Sequence, residues 1–221
     1  MSKLKADVIR YSKKLNITNL SALRSGNISV RAKEKGVDGF YITPSGMKYS
    51  TLKIKDITKQ TPDCSVITFE MPASLTQAFY YTQGQHLTLK AIIDGQDTRR
   101  SYSICSSMVD NQWQVAVKKI PGGVFSSYVN DVLQPGDTLE VMPPSGKFGV
   151  PISTQEKTYI AFVAGSGITP VLSMIKTHLA KEPKARFKLF YLNRTVKSII
   201  FKEQIEQLRN QYFGRLEIFI S

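Results

Sequence analysis

The sequence predicts a multi-domain α+β protein, in which an antiparallel Greek-key β-barrel is followed by an incomplete parallel α/β domain and preceded by a short α+β fragment. Short segments of alternating polarity fill residues 52–150, and a β-α-β-α-β succession fills residues 157–221. Residues 1–50 follow a different pattern. Alternation of polarity indicates strands that pack on one face, whereas strands that alternate with helices indicate a parallel sheet. We therefore expect three domains with these boundaries.

The N-terminal fragment combines a helix with two short strands. Apolar residues recur at helical spacing over residues 4–15, which predicts an amphipathic helix. Strands are predicted at Ile28–Arg31 and at Phe40–Ile42, on either side of a glycine-containing break.

Six segments between Pro, Gly and Asn or Asp turns alternate in polarity and are predicted as barrel strands. They are Leu52–Thr58, Ser65–Glu70, His86–Ile93, Arg99–Cys105, Gln112–Lys118 and Thr138–Met142. One helix interrupts them after Gly123, because Phe125 and Val129 begin a helical repeat that ends before Pro135.

The parallel domain begins with Tyr159–Ala164, a continuous apolar run that predicts a strand buried on both faces. A helix over Thr169–Leu179, a strand over Phe187–Leu192, a helix over Ser198–Gln211 and a strand over Leu216–Ile220 follow it. This succession is half of a doubly wound sheet, which binds ligands at the carboxyl edge of its strands.

The composition is that of an ordinary water-soluble globular protein. Of the 221 residues, 42% are apolar and 21% are charged, which is close to the average for such proteins. The sequence has no apolar run of the roughly 20 residues that a membrane-spanning helix needs, and its first residues lack the pattern of a secretory signal. We expect a cytoplasmic protein with no membrane partner.

The net charge of +13 is concentrated near the N-terminus. Residues 1–60 contain 13 Lys and Arg against 4 Asp and Glu, whereas residues 61–221 contain 17 against 13. The basic residues are scattered and are not interleaved with aromatic side chains, as they are on surfaces that stack nucleic-acid bases. We interpret them as solvated surface and expect no nucleic-acid partner.

The strongest chemical signal is Arg100-Ser101-Tyr102-Ser103, on a predicted strand. A flavin needs an aromatic ring against its isoalloxazine, hydrogen-bonding groups near its N5 atom and positive charge for its pyrophosphate. Tyr102, Ser103 and Arg100 supply these groups within four residues, because alternate side chains of a strand share a face. The alternative is an ordinary polar strand.

Two glycine turns each precede a predicted helix. They are Gly122-Gly123-Val124-Phe125-Ser126-Ser127 and Gly165-Ser166-Gly167-Ile168-Thr169-Pro170. Glycine lets a phosphate approach backbone N–H groups closely, and a helix N-terminus adds unpaired donors. The second turn follows the apolar strand, where a nucleotide pyrophosphate binds in such sheets. Taken alone, the first turn is equally consistent with a simple connection, and Gly-x-Gly alone is a weak signal.

Taken together, the ordered motifs resemble those of the ferredoxin–NADP reductase superfamily over residues 52–221. They are Arg100-x-Tyr102-Ser103, Gly122-Gly123, Gly165-x-Gly167-x-Thr169-Pro170 and Tyr191-Leu192-Asn193-Arg194. The stretches Thr82–Leu87 and Pro135–Pro144 are similar to the phenylacetyl-CoA epoxidase type of reductase within it. The resemblance implies FAD on the barrel and NADPH on the α/β domain, with NADH as the alternative. It also implies hydride transfer from nicotinamide to flavin, and electron transfer onward to an oxygenase or another acceptor.

The same resemblance implies the roles of individual residues. Ser103, near the flavin N5, and Thr169, near the flavin–nicotinamide contact, would serve in catalysis. Arg194 would meet a 2′-phosphate, which favours NADPH. The implied cofactor-binding residues are Arg100, Ser101, Tyr102, Ser103, Gly122, Gly123, Val124, Ser126, Ser127, Gly165, Ser166, Gly167, Thr169, Pro170, Asn193 and Arg194.

Two features of that family are missing from the sequence. The family's nucleotide domain continues with further strands and a Cys-Gly-Pro motif, and reductases of the epoxidase type add a domain whose cysteines hold a [2Fe–2S] cluster. The only cysteines, Cys64 and Cys105, cannot supply the four ligands of such a cluster. We therefore expect no [2Fe–2S] cluster and impaired turnover, and the sequence leaves a non-catalytic fusion remnant as the alternative.

Residues 1–50 resemble instead the opening of the class II aldolase family (fuculose-phosphate aldolase and adducin head). The resemblance implies a phosphate pocket made of Ser25, Gly26, Asn27, Thr43, Ser45 and Gly46. Those aldolases hold zinc with histidines, but the only histidines, His86 and His178, fall outside this fragment. We expect His86 on a barrel strand and His178 at a solvated helix position, and we expect no metal and no aldolase chemistry. Two partial families joined near residue 51 indicate a gene fusion, a deletion product or an engineered chimera.

Overall fold

The structure is a computed structural model that describes the backbone of residues 29–34 and 37–42 and the complete residues 49–221. It divides into two compact units, residues 1–48 and residues 49–221. In the first unit, β1 (Ser29–Glu34) and β2 (Val37–Ile42) pair in antiparallel fashion, so both predicted N-terminal strands are present. The predicted helix over residues 4–15 lies outside the described residues.

The first part of the second unit, residues 49–150, contains a six-stranded antiparallel sheet. We call these residues the antiparallel part. Its strands are β3 (Ser50–Thr61), β4 (Cys64–Glu70), β5 (His86–Ile93), β6 (Gln96–Ser103), β7 (Trp113–Lys118) and β8 (Thr138–Val141). They lie in the order β6-β5-β8-β3-β4-β7, and helix α1 (Val124–Asp131) packs against β7 and β5. All six predicted strands are present. Their alternate apolar residues, such as Leu52, Ile67 and Leu89, are completely buried in one core.

The two end strands of this sheet meet at one point. A single bridge pairs Ile104 with Val115, and the Cys105 amide donates a hydrogen bond to the Gln114 carbonyl at 2.9 Å. The antiparallel sheet is thus confirmed, but among the described residues β6 and β7 do not form the continuous ladder of a closed barrel.

The parallel part, residues 157–221, contains a three-stranded sheet in the order β11-β10-β9. Its elements are β9 (Lys157–Ala164), α2 (Ile168–Lys181), β10 (Ala185–Leu192), α3 (Lys202–Gln211) and β11 (Leu216–Ile220). The predicted succession is confirmed, although α3 begins later than predicted. Phe201, in a left-handed conformation with φ of 63°, precedes α3 and separates it from the buried Ile199 and Ile200.

The prediction that Tyr159–Ala164 is buried on both faces is wrong. Ile160 is 60% exposed and Phe162 is 72% exposed. The connection from β9 to β10 and that from β10 to β11 run in the same direction across the sheet. Because such crossovers are right-handed, α2 and α3 lie on the same face of the sheet. The other face carries a row of stacked rings, in which Phe190 lies 4.7 Å from both Phe162 and Phe219.

Helix α2 is buried almost all round, because it lies between the parallel sheet and the antiparallel part. Ten of its 14 residues are buried. Leu172 and Ile175 of α2 share a core with Cys64 and Val66 of β4, so the two parts are packed against each other as one unit. None of the described helices is both long enough and apolar enough to cross a membrane.

Candidate functional site

Strand β6 divides the predicted flavin-binding residues between its two faces. Arg100 and Tyr102 share one face, whereas Ser101 and Ser103 lie on the other, because side chains alternate along a strand. Tyr102 is half-buried, and burial raises the pKa of its phenol to about 12. Arg100 is exposed, so its guanidinium is accessible to an anion. Ser101 Oγ lies 2.9 Å from Thr88 Oγ1 on the neighbouring strand.

The glycine turn before α1 lies beside this strand. The Phe125 ring in the first turn of α1 lies 5.9 Å from the Tyr102 ring, between ring centroids. Gly122 has a φ of +72°, which favours glycine, and Gly123 immediately precedes the helix. The first N–H groups of a helix lack intrahelical partners, so this turn presents donors next to an aromatic ring.

The serines and Val124 of this turn differ in their surroundings. Ser126 is buried, and its hydroxyl donates to the Gly123 carbonyl at 3.1 Å and accepts from the Ile120 amide at 3.1 Å. It therefore shapes the turn. Ser127 is only partly buried, and Val124 is 51% exposed at the surface of the turn.

The second glycine turn joins β9 to α2 and has free space above it. Gly165 has a φ of +49°, and a Cβ atom on Gly165 or Gly167 would meet no atom within 4 Å. Ser166 is exposed, and Pro170 lies in the first turn of α2. The buried Thr169 donates its hydroxyl hydrogen bond to the Ser166 carbonyl at 3.0 Å. The turn is thus a fixed cradle with an open side.

A tyrosine that sequence reasoning left outside the site holds this cradle in place. Tyr191 on β10 is buried, and its hydroxyl donates to the Gly165 carbonyl at 3.1 Å and accepts from the Ile200 amide at 3.2 Å. Burial raises the pKa of the Tyr191 phenol to about 12, so the hydroxyl keeps its proton for this bond at neutral pH. Its place in Tyr191-Leu192-Asn193-Arg194 was the available signal.

The residues that follow β10 include an amide without a partner. Both Asn193 Nδ2 and Asn193 Oδ1 are buried and make no hydrogen bond among the described residues. Buried polar groups are nearly always hydrogen-bonded in native proteins, so this amide fits a ligand at the carboxyl edge of the sheet. Arg194, the next residue, is exposed.

The prediction that His178 is solvated is wrong, because α2 carries it into the contact between the two parts. His178 is completely buried, its Nε2 lies 3.2 Å from Gln83 Nε2, and its Nδ1 lies 3.0 Å from Glu182 Oε1. Since an amide nitrogen only donates, His178 Nε2 accepts from Gln83 and Nδ1 donates to Glu182. His86, as predicted, lies on strand β5.

Glu182 is a buried carboxylate with several donors. Burial opposes its ionisation, but hydrogen bonds from the Ser153 amide, His178 and Tyr159 outweigh burial and lower the pKa of Glu182. Sequence reasoning missed Gln83, Tyr159 and Glu182, since a polar cluster between two parts of a protein leaves no local periodicity.

The predicted phosphate residues Ser25, Gly26, Asn27, Thr43, Ser45 and Gly46 lie outside the described residues. Within the described part of the chain, no group of three or more His, Cys, Asp or Glu side chains is arranged to hold a metal ion. Cys64 and Cys105 are buried free thiols, and burial raises the pKa of each to about 12.

Comparison with protein families assigns two consecutive domains to the second unit. The model of the oxidoreductase FAD-binding domain matches residues 51–149, and that of the oxidoreductase NAD-binding domain matches residues 162–220. The model of the class II aldolase and adducin N-terminal domain matches residues 6–91. Its overlap with the FAD-binding match falls on β3, β4 and β5, which belong to the antiparallel sheet.

Two bacterial proteins are similar in sequence. One of the subunits of the 1,2-phenylacetyl-CoA epoxidase of Escherichia coli is 43% identical over 171 residues, which cover 77% of this chain and 48% of that protein. The ferredoxin reductase component of the 3-ketosteroid-9-alpha-monooxygenase of Rhodococcus rhodochrous is 37% identical over 177 residues, covering 79% and 50%. The chain spans about half the length of the curated relatives it matches.

Solved structures share the fold of the second unit. The ferredoxin–NADP⁺ reductase of Plasmodium falciparum, solved with 2′P-AMP, superposes with a TM-score of 0.68 at 21% identity, covering 78% of this chain and 72% of that chain. The FAD/NAD-binding domain of the nitric oxide dioxygenase of Vibrio cholerae superposes with a TM-score of 0.66 at 21% identity, covering 78% and 73%. The resemblance to the ferredoxin–NADP reductase superfamily is confirmed: residues 51–220 form a ferredoxin-reductase-like module, an FAD-binding domain followed by an NAD-binding domain.

Proposed function

We propose that residues 49–221 bind FAD on the antiparallel part and NAD(P)H on the parallel part, and pass electrons from the nucleotide through the flavin to a separate acceptor. The observation that carries the proposal is the approach of Tyr102 to the helix start at Gly122–Gly123, where the Phe125 ring lies 5.9 Å from the Tyr102 ring. Distant segments of the sequence thereby offer an aromatic face and backbone donors side by side. In this proposal the antiparallel sheet serves as the open Greek-key barrel that holds the flavin.

The residues around Tyr102 fit FAD. Tyr102 offers an aromatic ring to an isoalloxazine, and the exposed Arg100 and the N-terminus of α1 offer positive potential to a pyrophosphate. Ser103 would hydrogen-bond near N5. When bound, the cofactors would supply the redox chemistry, a hydride transfer that carries two electrons from the dihydronicotinamide to the flavin.

The parallel part fits a pyridine nucleotide. The open cradle at Gly165–Gly167 would hold the pyrophosphate, and the unpartnered Asn193 amide would hydrogen-bond the bound nucleotide. The exposed Arg194 favours NADPH, because a guanidinium binds phosphate in a bidentate manner. Thr169 would keep the turn in shape close to the reacting rings, through its bond to Ser166.

A visible absorption spectrum of the purified chain tests the flavin site. We expect the absorbance bands of oxidised flavin, and we expect Tyr102→Ala to lose them whereas Tyr102→Phe retains them, since the ring rather than the hydroxyl does the stacking. Tyr212→Ala, which removes a tyrosine of the parallel part beside Arg215, is the matched control. A well-folded wild-type chain that cannot be reconstituted with FAD contradicts the proposal.

Anaerobic titration with NADPH tests the nucleotide site. We expect the flavin bands to bleach on addition of NADPH. Arg194→Ala should raise the KM for NADPH by roughly 10- to 150-fold and leave that for NADH unchanged, because a lost charge-assisted hydrogen bond costs about 1.5–3 kcal/mol. Equal effects on both nucleotides would remove the basis for a preference for NADPH.

An oxygenase is the acceptor that the relatives suggest, because their names place them in an epoxidase and in a monooxygenase. We propose the same class of acceptor here, in the cytoplasm. NADPH-dependent reduction of ferricyanide by the chain would establish that electrons leave the flavin, and reduction of an oxygenase component in place of ferricyanide would establish the acceptor.

The aldolase match over residues 6–91 favours one further candidate, a sugar-phosphate-binding N-terminal fragment without aldolase chemistry. Calorimetric titration with a sugar phosphate tests it. We expect binding that Asn27→Ala abolishes and that Asn16→Ala, outside the predicted pocket, retains.

A further inference from the structure

Helix α2 makes a row of polar contacts with the loop that follows β6. Ser173 Oγ donates to the Ser106 carbonyl at 2.6 Å, and the Met108 amide donates to Thr177 Oγ1 at 3.2 Å. An ion pair joins the Lys176 ammonium group to the Asp110 carboxylate. We call these contacts the α2 row. Its members are Ser173, Lys176 and Thr177 of α2 and Ser106, Met108 and Asp110 of the loop.

The contacts of the α2 row are shielded from water. Ser106, Ser173 and Thr177 are completely buried, and only 13% of the Lys176 side chain and 21% of the Asp110 side chain are exposed. Polar groups in such a place must be paired, because an unsatisfied buried donor or acceptor is costly. Unlike the apolar contacts beside them, hydrogen bonds to backbone atoms are satisfied in only one register. The α2 row therefore fixes how the two parts are oriented toward each other.

The loop side of the row is itself held in one shape. Asp110 Oδ2, which pairs with Lys176, also accepts from the Ser107 amide at 2.9 Å. The Tyr81 hydroxyl donates to the Ser107 carbonyl at 2.6 Å. We therefore expect a displacement of α2 to move this loop as a whole.

The two ends of the row lead directly to the two candidate cofactor sites. Along the loop, Ser106 is three residues beyond Ser103 at the end of β6. In α2, Ser173 is five residues beyond Ile168, the first residue of the helix after the glycine cradle. At the helical rise per residue, Ile168 and Ser173 are roughly 8 Å apart along the helix axis. A short and well-packed path therefore connects the strand that carries Tyr102 with the turn that carries Gly165–Gly167.

We infer that Ser173, Lys176 and Thr177 are positioning residues, which fix the nucleotide turn relative to the flavin strand so that hydride transfer occurs at the correct distance. The inference rests on the proposed function. None of the three touches a reacting atom; they act through Ser106, Met108 and Asp110. Misplacement by about 1 Å costs on the order of 10²-fold in rate. Loosening the row should therefore slow the transfer without weakening either cofactor site.

Single-turnover reduction of the FAD-loaded full chain by NADPH under anaerobic conditions tests this. Thr177→Val and Ser173→Ala should lower the limiting rate constant by about 10- to 100-fold, with the FAD content and the NADPH concentration for half-maximal rate unchanged. Thr177→Ser, which keeps the hydroxyl, should restore the rate. Lys176→Met should slow transfer as well, whereas Lys181→Met, at an exposed position of the same helix, should not.

Hydrogen exchange provides a measurement that does not depend on turnover. We expect the amides of residues 107–110 to exchange faster in Thr177→Val and Lys176→Met than in the wild type and Lys181→Met. If Thr177→Val does not fold, the same comparison of exchange and rate is made with Lys176→Met alone. Faster exchange with unchanged limiting rates would show a merely structural contact and overturn the inference, as would a loss of NADPH affinity that accounts for the slower rate. A wild-type chain that binds no FAD, or whose FAD is not reduced, overturns the proposed function and the inference with it.

Discussion

Gly84 lies close to both Gly149 and α2, and replacing it with alanine should destabilise the protein measurably. Its φ is +87°, and a Cβ atom there would lie 2.8 Å from the backbone nitrogen of Gly149 and 2.8 Å from Cε of Met174. Gly95 provides a matched control, because its φ is +75° but a Cβ atom there would meet nothing within 4 Å. The pair separates conformational strain from steric overlap.

The expected losses in the free energy of unfolding follow from the conformational strain and the steric overlap. A left-handed conformation costs a residue with a side chain about 1–2 kcal/mol, so Gly95→Ala should lower the free energy of unfolding by about that amount. Overpacking costs a further 1–3 kcal/mol or so, and Met174 can yield whereas the Gly149 backbone cannot. Gly84→Ala should therefore lose about 2–5 kcal/mol in total.

Urea unfolding followed by circular dichroism measures both losses. The dependence of the unfolding free energy on urea should be unchanged in both variants, so that a lower midpoint reports lower stability rather than a changed unfolded state. Equal losses in Gly84→Ala and Gly95→Ala would refute the steric argument, and with it the close approach of Gly84 to Gly149 and α2.

Three further predictions concern buried polar groups. The pKa of Glu182 is lowered in the folded protein, so its ionised form adds stability. This stability is lost as the pH falls below the pKa of an unfolded glutamate, about 4.3. The free energy of unfolding of Glu182→Gln, measured in urea, should therefore depend less on pH between about pH 3 and 5 than that of the wild type. Tyr191→Phe leaves the Gly165 carbonyl and the Ile200 amide without the partner they share and should cost about 1–3 kcal/mol, with faster amide exchange at residues 165–167; unchanged exchange would contradict the anchoring role. Cys64 and Cys105, whose pKa values burial raises to about 12, should resist a disulfide reagent at pH 8 and react only after unfolding in guanidinium, so rapid labelling of the native protein would show that they are accessible.

The strands were predictable where a polarity alternation is bounded by turn residues. The ranges of β5 and β11 agree with prediction because Gly84 and Gly95 lie close to the ends of β5, and Gly214 lies just before β11. The start of α3 was not predictable, since the left-handed Phe201 that delays it depends on tertiary packing of its side chain. The local sequence therefore predicts the glycine turns that bound these strands but not the tertiary packing of Phe201.

The exposure of the parallel sheet could not be predicted, because an apolar strand has the same composition whether a helix covers one face or both. Phe162 is 72% exposed although it lies in the most apolar run of the chain. Its exposure follows from the direction in which the chain crosses the sheet, which is a property of the topology rather than of the run itself.

Both glycine turns of the site were predictable, because a positive φ at Gly122 and Gly165 and the helix after each turn leave a local signature. Their approach to other elements was not. The contact of Tyr102 with Phe125 and the bond from Tyr191 to Gly165 join distant segments, and a single sequence does not record which segments meet.

Helix α2 has a polar side whose role is clear only when its sequence and its position in the structure are considered together. A helix exposed on one face usually carries charged residues there, but α2 has Ser173 and Thr177 on the side away from its apolar stripe, and both are completely buried. Short hydroxyl side chains do little for solubility, whereas they can bond to a neighbouring backbone without leaving a gap. A helix with one apolar stripe and one stripe of hydroxyl groups is therefore suited to lie between two layers and to set the register of one against the other. In this protein those layers carry the two candidate cofactor sites, so we expect the hydroxyl stripe of α2 to affect the proposed hydride transfer.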